Sequence, residues 1–272
     1  MVCPLVFSHR GLVGDPTVDA KAFFLRDDPI RDAQRHSIHA FDLDLTFTTN
    51  GSILVGHPED VKQALGVDIW AQTDKSLENR PLLWLDRLLD MTSMDENVTL
   101  ALDLKGSDRE PYPKMLAKLA KAVRVRALQR RVWLWIDRPV QQLKFDLHKR
   151  HGVNLAGLTL LKPLRDRSVV GGTGGQLDCS VLIDRRDVRH FAMLGPSAKC
   201  ANRWLAAPRW AADAWGPNPT SRTPARWLVW VVDDPHSLKA LVRLKVANVV
   251  SNRPKAIMEN CDAHVHGGGI QY

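Results

Sequence analysis

The sequence has few cysteines and no extended apolar segment, and both features limit the class of protein. Its four cysteines are widely separated and form neither a Cys-x-x-Cys pair nor a metal-finger pattern: Cys3, Cys179, Cys200 and Cys261. We therefore predict ordinary thiols in a reducing compartment. The first apolar run begins almost at Met1, so we expect no cleavable signal peptide. No apolar run approaches the roughly 20 residues that a membrane helix requires, so the sequence predicts a soluble, cytoplasmic protein.

A concentrated basic arm and a nucleotide phosphate loop are also missing. The chain has 38 Lys and Arg against 30 Asp and Glu, a net charge of +8, and the basic residues are distributed along it. The densest stretch, 124–131, lies on a predicted helix, where a solvated face is the ordinary interpretation. We therefore expect no nucleic-acid partner, although a positive field attracts anionic phosphodiesters and acidic membrane surfaces. The glycine run 171–175 is not followed by Gly-Lys-Ser/Thr, which excludes a phosphate loop.

Short β-rich runs alternate with amphipathic helical segments, a pattern typical of parallel α/β folds. Strands are predicted over residues 4–9, 40–48, 98–105, 132–137, 155–162, 179–184, 226–233 and 247–251. Helices are predicted over about 27–36, 81–92, 112–130, 139–151, 185–193, 235–244 and 254–261. A short extension over 52–57 follows a turn at Asn50-Gly51. The 272 residues and 44% hydrophobic content suit a single (β/α)8 TIM barrel, one domain over residues 1–272.

Carboxylates recur with a spacing of two at the ends of two predicted strands. Because side chains alternate between the faces of a strand, Asp42 and Asp44 point the same way. Asp103 and Lys105 end the next long strand with the same spacing. Converging carboxylates need a cation, a proton or a hydrogen-bond network, and hard oxygen ligands suit Mg²⁺ or Ca²⁺. A divalent metal site is therefore predicted at the barrel mouth, where active sites of this fold lie.

The ordered set of motifs resembles the glycerophosphodiester phosphodiesterase family. His9-Arg-Gly11 is followed by an acidic-x-Asp pair, a Thr with an Asn-Gly turn, a second histidine at His57, and an acidic-x-Lys motif. Near the C-terminus, Trp230-Val-Val-Asp-Asp234 and Val249-Val-Ser-Asn-Arg-Pro254 resemble the last two barrel strands of the family. The resemblance implies a TIM barrel and metal-dependent hydrolysis of a glycerophosphodiester or a related phospholipid head group.

The same resemblance assigns roles to individual residues. It implies that His9 and His57 act as general base and general acid, in an order that remains open, because an imidazole pKa near neutrality suits both tasks. Arg10 and Lys105 would neutralise phosphate oxygens. The implied metal ligands are Asp42, Asp44 and Asp103, which would hold Mg²⁺ or Ca²⁺, with Mn²⁺ as a further candidate. Trp230 either lines the substrate mouth or packs against the barrel wall.

Departures from the family pattern leave alternatives open. The family usually carries Glu where this chain has Asp42 and Asp103, and Asp where it has Pro58. Sphingomyelinase D, a member of the same superfamily, uses Asp at the third metal position but has a shorter spacing from the first histidine to the acidic pair. One alternative is therefore phospholipase D-like cleavage of a lysophospholipid or sphingomyelin through a cyclic phosphate. Another is a catalytically silent barrel that binds a phosphorylated ligand.

Other residues with functional chemistry receive structural interpretations. Asp137, Asp184 and Asp234 precede predicted helices and are expected to act as N-caps. The tryptophans between 204 and 215 either line the mouth or pack on the barrel wall, and packing is preferred. We therefore expect a small-molecule phosphodiester as substrate in preference to an intact lipid, with a lysophospholipid as the alternative and peripheral membrane contact left open. His264 and His266 are assigned to a frayed terminus.

Overall fold

A parallel sheet forms the centre of the protein, in a computed structural model that describes residues 3–13, 22–164, 167–168, 177–178, 193–198, 201, 227–243 and 245–266. The strands in chain order are β1 (Leu5–His9), β2 (Ala40–Phe47), β3 (Ile53–Val55), β4 (Thr99–Leu104), β5 (Val132–Trp135), β6 (Thr159–Leu164), β7 (Arg167–Ser168), β8 (Leu177–Asp178), β9 (Met193–Pro196), β10 (Leu228–Val229) and β11 (Asn248–Ser251).

The strand order of the sheet is that of a barrel. Neighbouring strands follow the sequence β10-β11-β1-β2-β4-β5-β6-β9 and pair in parallel, while β3 pairs antiparallel with β2. The two end strands also meet, because Ser197 forms a parallel bridge with Trp230 and the Ala198 N–H donates to the Trp230 carbonyl at 2.8 Å. The predicted TIM-barrel fold is confirmed.

Helices surround this sheet at the positions that the apolar pattern indicates. They are α1 (Pro29–Gln34), α2 (Pro58–Leu65), α3 (Asp74–Leu77), α4 (Leu85–Met94), α5 (Tyr112–Val125), α6 (Val140–His151), α7 (Pro235–Arg243) and α8 (Pro254–His266), with 3₁₀ turns at Phe23–Leu25 and Ile69–Ala71. Helix α2 was not predicted, although Pro58 occupies a favourable first-turn position and Glu59 and Asp60 follow it. The predicted N-cap role of Asp234 is confirmed, since its side chain accepts from the Ser237 N–H at 2.7 Å.

Strand β2 shows how alternation builds both layers of the core. Phe41, Leu43 and Leu45 are almost completely buried in the large cluster between the sheet and its helices. Ala40 belongs instead to a smaller cluster that includes Phe7 of β1, Trp135 of β5 and Leu161 of β6. Because alternate residues face opposite sides, Asp42 and Asp44 lie on the same side of β2 as Ala40, inside the barrel.

The sixth barrel strand differs from the prediction. Strand β9, Met193–Pro196, takes the place between β6 and the C-terminal strands, where residues 179–184 were expected. The helix predicted over 185–193 is wrong at Met193, which begins this strand. Residues 179–184 and 185–192 lie outside the described residues. A Cβ added at Gly195 would lie 2.3 Å from the Trp135 ring, so the missing side chain allows β9 to approach β5.

The prediction that the cysteines are separate thiols is wrong for one pair. Cys3 and Cys261 form a disulfide with a Cα–Cα distance of 5.9 Å, between residues 258 apart in the chain. Helix α8 packs on β1 and brings Cys261 close to Cys3. The spacing of the cysteines along the sequence does not reveal this contact. Disulfides persist in oxidising surroundings, so cysteine content no longer supports the predicted cytoplasmic location. Cys179 and Cys200 lie outside the described residues.

No helix in the described part of the chain is both long enough and apolar enough to cross a membrane. The glycine run 171–175, Asp184 and the tryptophans at 204, 210 and 215 lie outside the described residues. The interpretations of these segments stay predictions.

Candidate active site

His9 ends β1 at the mouth of the barrel, and the chain turns sharply after it. Arg10 and Gly11 have φ angles of 52° and 71°, in the left-handed region. A Cβ at Gly11 would lie 2.2 Å from the Phe23 ring, so only glycine fits this turn. The Arg10 N–H donates to the Asp42 carbonyl at 2.7 Å and anchors the turn to β2. The His-Arg-Gly motif thus places the His9 and Arg10 side chains at the end of the strand.

The register of β2 and β4 brings the predicted carboxylates together. Asp44 of β2 lies opposite Asp103 of β4. Asp42 lies opposite Ala101, two residues earlier on each strand. Lys105 extends from the end of β4, where its Nζ lies 2.8 Å from Asp44 Oδ1 and 2.5 Å from Asp103 Oδ2. Burial alone would lower the pKa of Lys105, but the adjacent Asp103 and Asp44 charges outweigh it and raise that pKa to about 12. Lys105 therefore stays an ammonium ion between two carboxylates.

Arg10 contributes a second cation to the same group. Its Nε lies 3.1 Å from Asp44 Oδ2, and its Nη1 lies 3.0 Å from Asp60 Oδ2 in the first turn of α2. Asp60 was not among the predicted site residues. Its position in the sequence could have indicated this role. Asp60 follows His57 by three residues and lies in the first turn of a helix that begins at Pro58, beside the mouth.

Asp42 lies beside two other carboxylates, and its pKa is shifted by its environment. Burial raises its pKa to about 7, the adjacent Asp44 and Asp103 charges act in the same direction, and a hydrogen bond from Trp135 opposes them. Trp135 Nε1 donates to Asp42 Oδ1 at 2.7 Å. Sequence reasoning also missed Trp135, whose buried indole N–H needs an acceptor inside the barrel.

A chain of hydrogen bonds from the last two strands orients His9. Asn252 Oδ1 lies 2.7 Å from His9 Nδ1, and Asn252 Nδ2 donates to Asp233 Oδ2 at 2.7 Å. Asp233 also accepts from the Ser251 hydroxyl and the Asn252 N–H, at 3.0 and 2.8 Å. Because Asp233 only accepts, the Asn252 oxygen faces His9 and accepts its Nδ1–H. Nε2 of a neutral His9 is then the ring nitrogen that can take a proton.

Burial lowers the pKa of His9 below its usual value, and the Asn252 hydrogen bond and the Asp44 charge offset only part of this effect. At neutral pH the ring is consequently neutral, which is the state that a general base requires. Both partners, Asp233 and Asn252, were absent from the predicted site. They lie inside the Trp-Val-Val-Asp and Ser-Asn-Arg-Pro segments that carry the C-terminal resemblance.

His57 is positioned by local structure. The predicted turn at Asn50-Gly51 is confirmed, with the Gly51 N–H donating to the Thr48 carbonyl at 3.0 Å. Strand β3 returns from this turn, and the Gly56 N–H donates to the Asp44 carbonyl at 2.8 Å, which sets His57 beside the carboxylates. His57 is the N-cap of α2, and its Nδ1 accepts from the Glu59 N–H at 3.4 Å.

Two cavities meet at His9, Arg10 and Asp44. One cavity has a volume of about 480 Å³, and its lining also includes Asp42, Asp103, Lys105, Trp135 and Trp230. The other, of about 560 Å³, holds His57, Asp60 and Asn252 beside an apolar wall of Leu12, Phe23, Phe24 and Leu25. The structure places Trp230 in the wall of the first cavity, with its Nε1 donating to the Gly195 carbonyl at 2.7 Å.

The donor set at the mouth fits a hard cation by charge and by atom type. Within the described ranges, no three His, Cys, Asp or Glu side chains are already arranged around a metal position. Asp42, Asp44 and Asp103 nevertheless line one cavity and outnumber the two cations beside them, Arg10 and Lys105. Asp44 Oδ2 is buried and makes no hydrogen bond, only the charge contact with Arg10. An oxygen without a hydrogen bond, in a carboxylate-rich cavity, suits Mg²⁺ or Ca²⁺.

No family model and no curated protein sequence matches this chain. Solved structures do match. A glycerophosphodiester phosphodiesterase from Parabacteroides distasonis has a TM-score of 0.63 at 15% identity and covers 97% of this chain and 100% of its own. An Oleispira antarctica phosphodiesterase in complex with the product sn-glycerol-3-phosphate has a TM-score of 0.64 at 13% identity, covering 96% and 97% of the two chains. A glycerophosphodiester phosphodiesterase from Thermotoga maritima has a TM-score of 0.59 at 13% identity, covering 95% and 99%.

At sequence identities of 13–15%, structural similarity is evidence of a shared fold. The chain has the TIM-barrel fold of the glycerophosphodiester phosphodiesterases, over nearly its whole length and theirs. This agrees with the resemblance seen in its sequence motifs.

Proposed function

We propose that the protein is a phosphoric diester hydrolase that cleaves glycerophosphodiesters. The observation that carries the proposal is the meeting of His9, Arg10, Asp44 and Lys105 at the barrel mouth, in the fold of the glycerophosphodiester phosphodiesterases. Two cationic side chains and a neutral imidazole suit an anionic phosphodiester and an attacking water. The glycerol phosphate bound to the Oleispira antarctica protein supports a small-molecule substrate of the same class.

We give the two histidines different tasks, and the hydrogen bond of His9 supports this choice. His9 donates through Nδ1, so its Nε2 takes the proton of a water molecule as the water oxygen bonds to phosphorus. As the acid, His57 would be protonated: its imidazolium gives a proton to the leaving alcohol oxygen and becomes a neutral imidazole. The phosphorus–oxygen bond to that alcohol then breaks, giving the alcohol and glycerol phosphate. We accordingly assign His9 as the base and His57 as the acid.

Arg10 and Lys105 hold the phosphate in this scheme. Each bonds a carboxylate in the structure, so a phosphate oxygen replaces or shares those partners when substrate binds. Asp42, Asp44 and Asp103 would hold a divalent cation. When bound, that cation would stabilise negative charge on the phosphate oxygens in the transition state.

The test is hydrolysis of glycerophosphocholine by purified protein. We expect activity with Mg²⁺, Mn²⁺ or Ca²⁺, its loss in excess chelator, and its return when metal is added back. Full activity in chelator after exhaustive dialysis would contradict the metal-dependent scheme. No hydrolysis of glycerophosphocholine, glycerophosphoinositol or lysophosphatidylcholine with any of these metals would favour a silent barrel that binds a phosphorylated ligand.

A second candidate is phospholipase D-like cleavage, in which a hydroxyl of the substrate attacks to give a cyclic phosphate. The apolar wall beside His57 favours it, because this wall offers space to a lipid chain near the leaving group. Phosphorus NMR of the products separates the two reactions, since a cyclic phosphate and glycerol phosphate give distinct signals. Comparing glycerophosphocholine with micellar lysophosphatidylcholine separates the two substrates, and we expect the soluble diester to react faster.

A further inference from the structure

The positive charge of the chain is concentrated on one part of the barrel. Residues 112–151 contain 11 Lys and Arg but two Asp and Glu, so this segment has a formal charge of +9. The whole chain has a charge of +8, so the remaining residues are close to neutral. Most of this segment consists of α5 and α6, which pack against each other on the outside of the sheet. The excess of positive charge is therefore confined to one segment of the chain and to the part of the barrel that this segment forms.

The solvent-facing side of α5 carries a row of lysines. Lys114, Lys118 and Lys121 are exposed and are spaced so that they share one helix face. Val125 continues the row by one turn, with 75% of its surface exposed. The opposite face of α5 is buried in the core. Lys114 and Lys121 are thus free to face solvent, while the Lys118 Nζ also donates to the Gly51 carbonyl at 2.9 Å.

Helix α6 adds an aromatic side chain and further cations. Phe145 is 58% exposed, and the Lys149 Nζ lies 5.2 Å from the centre of its ring. His148, Lys149 and Arg150 are exposed in the last turn of the helix. We define the basic face as Lys114, Lys118, Lys121, Val125, Phe145 and Lys149.

Structural roles account for other basic residues of the segment, Lys118 among them, but not for Lys114 and Lys121. Arg126 pairs with Asp86 and Asp90 of α4, and Arg131 donates to the backbone carbonyls of Thr92 and Val98. By contrast, the side chains of Lys114 and Lys121 make no hydrogen bond or ion pair with any described residue. Their charge therefore remains available to a partner.

We propose that the basic face binds an anionic lipid surface. Lysines attract anionic head groups, and the attraction grows with the number of lysines near the surface. The exposed Phe145 and Val125 favour a lipid over a nucleic acid, because a bilayer offers an apolar layer directly beneath its charges and a nucleic acid does not. Contact with lipid would also bring the protein close to phospholipid-derived diesters, a benefit that rests on the proposed function.

The experiment is sedimentation of the full-length protein with vesicles. One set of vesicles contains phosphatidylglycerol and phosphatidylcholine, and the other contains phosphatidylcholine alone. The test variant is Lys114→Glu/Lys121→Glu. The matched control is Lys75→Glu/Lys239→Glu, which makes the same change of net charge at two exposed lysines on α3 and α7. Melting temperatures confirm that both variants are folded.

We expect the unaltered protein to bind anionic vesicles but not neutral ones, and the binding to weaken as salt is raised. The test variant should bind at least about tenfold more weakly, and the control should keep most of the binding. Phe145→Ala should also weaken binding by about tenfold, since it removes the apolar contact.

Equal loss in the test and control variants would overturn the proposal, because net charge alone would then explain binding. Absence of binding to anionic vesicles, or tighter binding to a DNA or RNA duplex at the same salt concentration, would also overturn it. Hydrolysis of glycerophosphocholine in vesicle-free buffer is measured in parallel. It should be unchanged in the test variant, so failure of the docking proposal and failure of the proposed function give different results.

Discussion

The two histidines of the candidate site are held in place by different means. His9 is partly buried, and its partner Asn252 is 243 residues away in the chain. His57 keeps 21% of its side-chain surface exposed, and its partner is the backbone of a residue two positions further on. Assembly of the whole barrel is needed to orient the first, whereas formation of a single helix turn orients the second. The difference separates what tertiary packing contributes to the site from what local structure contributes.

Removing either imidazole has the largest expected effect. His9→Asn and His57→Asn keep approximate size but lose proton transfer, so we expect kcat for glycerophosphocholine to fall about 10²–10⁴-fold. His36→Asn, on an exposed residue outside the site, is the matched control and should keep full activity. A folded variant at position 9 or 57 with near-normal turnover would show that this histidine is structural.

The disulfide gives the next largest effect, on stability. Cys3 precedes β1 and Cys261 lies in α8, so the bond secures the strand that carries His9. Reduction, or Cys3→Ser/Cys261→Ser, should lower the free energy of unfolding by about 2–5 kcal/mol. Denaturant unfolding curves with and without reductant measure this change in the free energy of unfolding. If reductant leaves the stability of the unaltered protein unchanged, the bond does not contribute.

The long-range network should have an intermediate effect. Asn252→Ala removes the acceptor for the His9 Nδ1–H, and Asp233→Asn removes the charge that orients the Asn252 amide. We expect each variant to lower kcat by about 10–10²-fold with little change in KM, since the base loses its orientation and tautomer. Asn79→Ala at an exposed site is the control.

The pH profile distinguishes positioning from general destabilisation in the same variants. The Asn252 hydrogen bond raises the pKa of His9 against the larger effect of burial. Without it, the acid limb of the kcat/KM profile should move to lower pH. A variant with reduced kcat and an unmoved acid limb would indicate that Asn252 has a structural role alone.

Removing the negative charge of Glu59, beside His57, should have the smallest effect on activity. Glu59 Oε2 lies 3.9 Å from His57 Nδ1, but its side chain is 88% exposed, so solvent screens the pair. Glu59→Gln keeps the backbone N–H that caps α2, and we expect kcat to change by less than about threefold. A loss as large as that of Asn252→Ala would erase the distinction between the two histidines.

The motifs predict the part of the site that depends on strand periodicity and order. Alternation along β2 and β4 is enough to place Asp42, Asp44, Asp103 and Lys105 together, because parallel strands of a barrel present their C-terminal ends at one mouth. The barrel fold follows from the alternation of strands and helices for the same reason. These features depend on local patterns that repeat along the chain.

Features that depend on contacts between distant residues could not be predicted. The partners of His9, the Trp135 bond to Asp42 and the Cys3–Cys261 disulfide each join segments at least 93 residues apart. Strand β9 was misplaced because its segment contains Gly195 and Pro196, which disfavour a strand by propensity. The close approach of the Trp135 ring, which only a glycine permits, outweighs that propensity.

The central claim is that His9 acts as base and His57 as acid, and the dependence on the leaving group tests it most directly. The p-nitrophenyl ester of glycerol 3-phosphate releases an alcohol that leaves without protonation, whereas glycerophosphocholine requires an acid. We predict that His57→Asn recovers most of its lost activity on the nitrophenyl ester, while His9→Asn stays equally impaired on both substrates. Recovery by His9→Asn and not by His57→Asn would contradict the assignment.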